Sequence, residues 1–136
     1  MACPYFHPSR DPVPALESMP LPLGDAWRGL CRAPGVEPFE PEAAALVPLC
    51  HLGYARGRCA HFPTDDGGAD AVRFAVSREA PDEIQLDYVL ERAHHPYAHG
   101  KLRYSLSLGV FAGGTAENVG CQAQAYIESY LRRRKT

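Results

Sequence analysis

No run of apolar residues in this sequence approaches the roughly 20 that a bilayer-spanning helix needs, so the chain does not read as a membrane protein. An excess of one charge is missing too. Lys and Arg number 14 against 16 Asp and Glu, a net −2, whereas a dedicated nucleic-acid binder is normally basic. The first residues, Met-Ala-Cys-Pro-Tyr-Phe-His-Pro, have neither the basic stretch nor the apolar stretch of a secretory signal. Catalytic signatures are equally scarce: there is no G-x-S-x-G, P-loop, dinucleotide fingerprint or H-E-x-x-H. These absences leave an expected cytoplasmic domain, with neither nucleic acid nor membrane insertion among its interactions. The length of 136 residues suits one domain, and 46% hydrophobic residues are enough for a core.

Proline is abundant but confined. Eleven of the 13 prolines lie in the first 63 residues, and proline fixes φ and removes a backbone donor, which forbids long helices and central strands there. Residues 1–64 therefore read as an irregular, Pro-rich module held by something other than regular hydrogen bonding. A short helix is expected from about Glu42 through Ala43–Leu46 towards Cys50, kinked or split at Pro48. Charge divides as well: residues 1–70 carry 5 basic and 9 acidic groups, residues 71–136 carry 9 and 7.

Residues 70–136 read as a β-β-β-α core. Val72, Phe74 and Val76 alternate with Arg73 and Ala75; Ile84, Leu86, Tyr88 and Leu90 oppose Gln85, Asp87 and Glu91. Leu102, Tyr104, Leu106, Leu108 and Val110 repeat the pattern. Each is the signature of a half-buried strand. His94–Gly100 would be the turn of a long hairpin, and Asp65-Asp66-Gly67-Gly68 the loop leading into the sheet. After Gly113-Gly114 a helix is expected from Thr115 as N-cap, with Glu117 in its first turn. Val119, Ala123, Tyr126, Ile127, Tyr130 and Leu131 form its apolar stripe. Arg132–Lys135 would be a solvated terminus complementing the helix dipole. The expected fold is α+β, with one three-stranded antiparallel sheet and an amphipathic helix packed on it.

Four of the five cysteines, Cys3, Cys31, Cys50 and Cys59, fall in the Pro-rich part. They could be ordinary buried residues, disulfides, which a reducing cytosol disfavours, or ligands of one centre. A module that gains few ladder bonds needs another source of order, and four thiolates on a metal would tie residues 3, 31, 50 and 59 to one point. Structural zinc usually takes ligand pairs two to four residues apart; here the intervals are 27, 18 and 8 residues. The Cys3-Pro4 pair resembles the end of a bacterial ferredoxin cysteine run. Between Cys50 and Cys59, Gly53 and Gly57 would let backbone amides point at an anion, and Arg56 and Arg58 could balance thiolate charge. Tyr5, Phe6, Trp27, Tyr54 and Phe62 would exclude water. The expectation is a [4Fe-4S] cluster on Cys3, Cys31, Cys50 and Cys59, in an electron carrier or redox subunit serving a protein partner or larger complex. The alternative is a Zn2+-stapled interaction domain without redox activity, or a metal-free fold in which the cysteines only pack.

Other candidates are weaker. His7, His51 and His61 lie near cysteines and could replace one as ligand, but read better as supporting or surface residues. His94, His95 and His99 read as solvated turn residues. Cys121 lies about 200° around the helix from Ala123, and Glu117 one turn earlier would hold its thiol protonated; it is left out of the site.

Overall fold

The computed structural model describes all residues except 14–20, 36, 64–67, 113–116 and 135–136, and only the backbone of Arg10, Glu117, Asn118 and Arg134. The expected loop at Asp65-Asp66-Gly67 and the Thr115 N-cap lie outside the described residues.

Two sheets, not one, organise the described residues. The first is a two-stranded antiparallel ribbon of β1 (Phe6–Pro12) and β2 (Trp27–Cys31). The second is a four-stranded antiparallel sheet in the order β3 (Ala71–Glu79), β4 (Glu83–Arg92), β5 (His95–Ser105) and β6 (Val110–Ala112). This corrects the expected single three-stranded sheet and the expected irregular module. Proline did not prevent the ribbon, because a strand with one partner leaves its other edge free of ladder bonds. Pro8 pairs with Gly29 and Pro12 with Trp27, and the register shifts between them.

In the larger sheet the alternation of β3 and β4 holds: Val72, Phe74, Ile84 and Leu86 are buried while Arg73 is exposed. The third expected strand is placed differently. The β4–β5 turn is only Ala93 and His94, both at positive φ (52° and 65°), the conformation a two-residue hairpin needs at both central positions. His95–Gly100 therefore belong to β5 rather than to the turn. Pro96 is accommodated because the register shifts between Leu90 and Glu91 and because β6 pairs only with Arg103–Ser105, leaving that end of β5 at an edge. The chain turns again over Leu106–Gly109, with Gly109 at φ 70°, so Leu108 is exposed and Val110 begins β6.

The short helix begins as one α-turn, α1 (Ala43–Ala45), and continues as a π-helical turn over Leu46–His51. Pro48 has no N–H to contribute, and the amide of Leu52 reaches back five residues to Val47 O.

The C-terminal helix α2 (Glu117–Arg134) lies between the two sheets. Tyr126, Ile127 and Tyr130 face the large sheet: Tyr126 meets Phe74 at 5.8 Å between ring centres, Ile127 packs with Ile84 and Tyr104, and Tyr130 donates to Glu79. Gln122, Ala125 and Ser129, spaced by three and four residues, are also buried. Gln122 and Ser129 bond the N-terminal module: Gln122 donates to the carbonyls of Cys3 and Phe6, and Ser129 to Asp25. The basic tail is not simply solvated. Arg132 pairs with Asp25, and Arg133 donates to Asp25 (3.2 Å) and Gly24 O (2.8 Å). Gly24, at φ +87°, sits so close to Ser129 that a Cβ would fall 2.3 Å from the serine Cβ. One core runs through both halves, from Cys3, Phe6, Trp27 and Phe62 to Val72, Leu86, Leu102 and Ala123. No helix among the described residues is long and apolar enough to cross a membrane.

Candidate metal centre

Each of the four N-terminal cysteines is placed by a different piece of local structure. Ala2 exchanges two backbone hydrogen bonds with Val72 of β3 (2.7 and 2.8 Å), which fixes the chain start against the large sheet. Cys3 then donates to Cys50 O at 3.0 Å, tying the first cysteine to the π-turn that carries the third. Cys31 ends β2 opposite Phe6 and exchanges backbone hydrogen bonds with Phe39 (2.7 and 3.2 Å). Cys59 closes a tight turn by donating to Ala55 O at 2.7 Å, and its carbonyl accepts from Phe62. Gly57, at φ 82°, supplies the left-handed residue of that turn.

All four cysteines line one small cavity of about 20 Å³, with Tyr5, Phe6, Ala33, Leu49, Ala55 and Phe62 as its other walls. All five cysteines of the chain are free thiols, and Cys121 lies apart from this cavity on α2. A groove of about 490 Å³ adjoins this cavity. Cys31, Leu49, Cys50 and Cys59 are shared by the two spaces; Cys3 lines only the inner one and is 8% exposed.

Electrostatics reflects the convergence. Burial pushes the Cys3 thiol up to about 12, with Cys31 and Cys59 adding to the rise. Burial does the same to Cys50, also to about 12, reinforced by Cys3, Cys31 and Cys59. Cys31 is raised by burial and by Cys59. Cys3, Cys31 and Cys50 are therefore held protonated in the metal-free protein, because thiolates crowded into a small apolar space need a cation. Among the described residues no three His, Cys, Asp or Glu side chains stand together as they would around a single metal ion.

The supporting residues differ in part from those expected. Tyr5, Phe6 and Phe62 do line the cavity, and Tyr5 meets Phe62 edge-on at 5.2 Å. Trp27 and Tyr54 do not. Trp27 is buried in the core, its indole donating to Leu23 O. Tyr54 stacks on His94 at 4.1 Å and donates to Glu91 at 2.6 Å, outside the site. The amides of the glycine loop are not aimed at an anion: those of Gly53, Tyr54, Arg58 and Cys59 go to the carbonyls of Leu49, Asp70, Ala55 and Ala55. Arg56 is committed to holding the loop. It donates to Asp70 (2.8 Å) and Pro63 O (2.8 Å) and lies over the Phe62 ring at 4.7 Å. Burial would raise the Asp70 carboxyl, but the Ala93 amide and Arg56 outweigh it and hold it below the usual range. Arg58 is exposed and lines the groove.

None of the three nearby histidines joins the cavity wall. His61 is exposed, pairs with the Phe39 ring at 4.5 Å and lines the groove. His7 is buried in β1 opposite Leu30. His51, fully buried, is the residue that sequence reasoning undervalued: its Nε2 accepts from the Trp27 amide at 2.7 Å and its Nδ1 lies 2.8 Å from Leu46 O. The Nε2 contact requires a lone pair there, so the proton sits on Nδ1 and is donated to Leu46. Burial lowers its pKa, which keeps the ring neutral. Ala33, Leu49 and Ala55 were likewise missed as cavity walls, since nothing distinguishes them in sequence from other small apolar residues.

No known protein family, curated protein or solved structure matches this chain.

Proposed function

We propose that the protein is a small iron–sulfur protein, an electron carrier or redox subunit of the cytoplasm, with a [4Fe-4S] cluster held by Cys3, Cys31, Cys50 and Cys59. The observation that carries this reading is the meeting of four cysteines, spread over 57 positions of sequence, at one apolar cavity with no disulfide among them. Cysteines that served only as packing, one buried and three half-buried, would have no reason to meet. Tetrahedral zinc draws its sulfurs to within about 2.3 Å of one point; here the thiols surround a space instead. That favours a body with several metal atoms. All four cysteines border the inner cavity, which holds little more than a water molecule between them. Four cysteine ligands leave no iron open to a substrate, so the centre passes electrons and the protein tunes its potential through burial and charge.

The test is anaerobic purification followed by an absorption spectrum and assays of iron, sulfide and zinc. The expected product is brown, with about four irons and four sulfides per chain, and Cys50→Ser or Cys59→Ser loses both. A colourless protein with one zinc would replace this reading with the zinc-stapled interaction domain. A colourless, metal-free product from the same procedure would eliminate both.

A further inference from the structure

The proposed centre is open on one side only. Cys3 is covered by the core, with its carbonyl bonded to Gln122 of α2. Cys31, Cys50 and Cys59 are only half-buried and form the floor of the groove. Its walls are Phe39, Pro41, Ala45, Leu49 and Ala60, and Glu40, Glu42, Arg58 and His61 are its polar lining.

Resting on the iron–sulfur reading, the geometry points to this groove as the face at which electrons enter and leave, and to a partner protein with a Lys/Arg-rich contact patch as its occupant. The charges around the groove give the sign. Glu40 and Glu42 line the groove and are exposed, against one exposed arginine of its lining, Arg58. The other arginine of the Cys50–Cys59 loop, Arg56, is already bonded to Asp70 and Pro63 O. The centre itself would be an anion, because four thiolates outweigh the positive charge of a [4Fe-4S] core. Residues 1–70 as a whole are acidic, 9 groups against 5. An acidic partner would meet repulsion here.

The step is a single electron transfer. The reduced cluster loses one electron, the oxidant gains it, and no bond or proton moves. The experiment uses two small oxidants of opposite charge on the cluster-loaded, dithionite-reduced, desalted protein: cationic cobalt(III) tris-phenanthroline, which becomes cobalt(II), and anionic ferricyanide, which becomes ferrocyanide. Stopped-flow bleaching or recovery of the cluster absorbance gives each rate at low and high salt. The expected result is a cobalt rate that falls as salt rises and a ferricyanide rate that increases. Glu40→Gln with Glu42→Gln should slow the cobalt reaction by roughly fivefold at low salt, leave it nearly unchanged at high salt, and leave the spectrum unaltered. Arg58→Gln should do the reverse. A filling change, Ala60→Trp, should slow both oxidants, with iron content as the check that the centre is intact. Opposite salt trends, or rates indifferent to the Glu and Trp changes in protein with full iron content, would overturn the assignment. Failure of the underlying reading shows earlier and separately, as protein without iron before any oxidant is added.

Discussion

The two halves of this chain reach order by different routes. From Ala71 to Ala112 the backbone bonds itself strand to strand, and the side chains need only alternate. Among the described residues from Met1 to Pro63 the backbone has one short ribbon and a distorted helical turn, and order comes from individual groups that join distant points: His51 between Trp27 and Leu46, Gln122 between α2 and the Cys3–Phe6 corner, Arg56 between Asp70 and Pro63. A sheet distributes its stability over many equivalent bonds. The module concentrates it in a few irreplaceable ones, and that is the circumstance in which a multivalent centre adds most.

This contrast can be broken by removing single groups on each side. His51→Ala should have the largest effect, about 3 kcal/mol by chemical denaturation, because it leaves a buried amide and carbonyl without partners and opens a cavity. Gln122→Leu keeps the volume but strips the Cys3 and Phe6 carbonyls of a donor; the expected loss is about 2 kcal/mol, and amide exchange should quicken in the module before the large sheet. An equal loss of protection in both would show that the halves do not open separately.

Alkaline pH sharpens the same comparison. In the metal-free protein Cys3 and Cys50 keep their protons to about 12, while in the unfolded chain a thiol ionises near 8.5. Above that value the unfolded state releases protons that the fold retains, so stability falls as pH rises from about 8.5 towards 12. In cluster-loaded protein the sulfurs are already metal-bound and this slope should vanish, which thermal melts of the two forms compared at pH 7 and 10 would reveal. The smallest effect belongs to the solvated face of the sheet: Lys101→Ala removes a 3.1 Å pair with Asp87 between exposed side chains and should change stability by less than about 0.5 kcal/mol.

How far the sequence reached follows the same division. The positions of β3 and β4 and the sheet face of α2 were readable because a repeating burial pattern writes itself as period two or period 3.6. The start of β5 was not. Ala93-His94 carries no glycine or asparagine to mark a tight turn, and the histidines and Pro96 that follow look like loop. The second buried face of α2 was invisible for a related reason. Gln122 and Ser129 meet carbonyls and an aspartate, and the buried Ala125 between them is small, so burial there left no hydrophobic stripe.

By itself the sequence determined that the C-terminal half is strands followed by a helix, and that four cysteines belong to the half least able to hold itself together. Periodicity and composition are local properties, and they carry that much. Only the tertiary structure decided that the prolines allow a two-stranded ribbon, that α2 serves two sheets, and that Arg56 holds a loop and not a charge balance. It also decided that residues 3, 31, 50 and 59 line one cavity. Convergence of distant residues depends on where whole elements pack, and the spacing of cysteines along a chain holds no record of that.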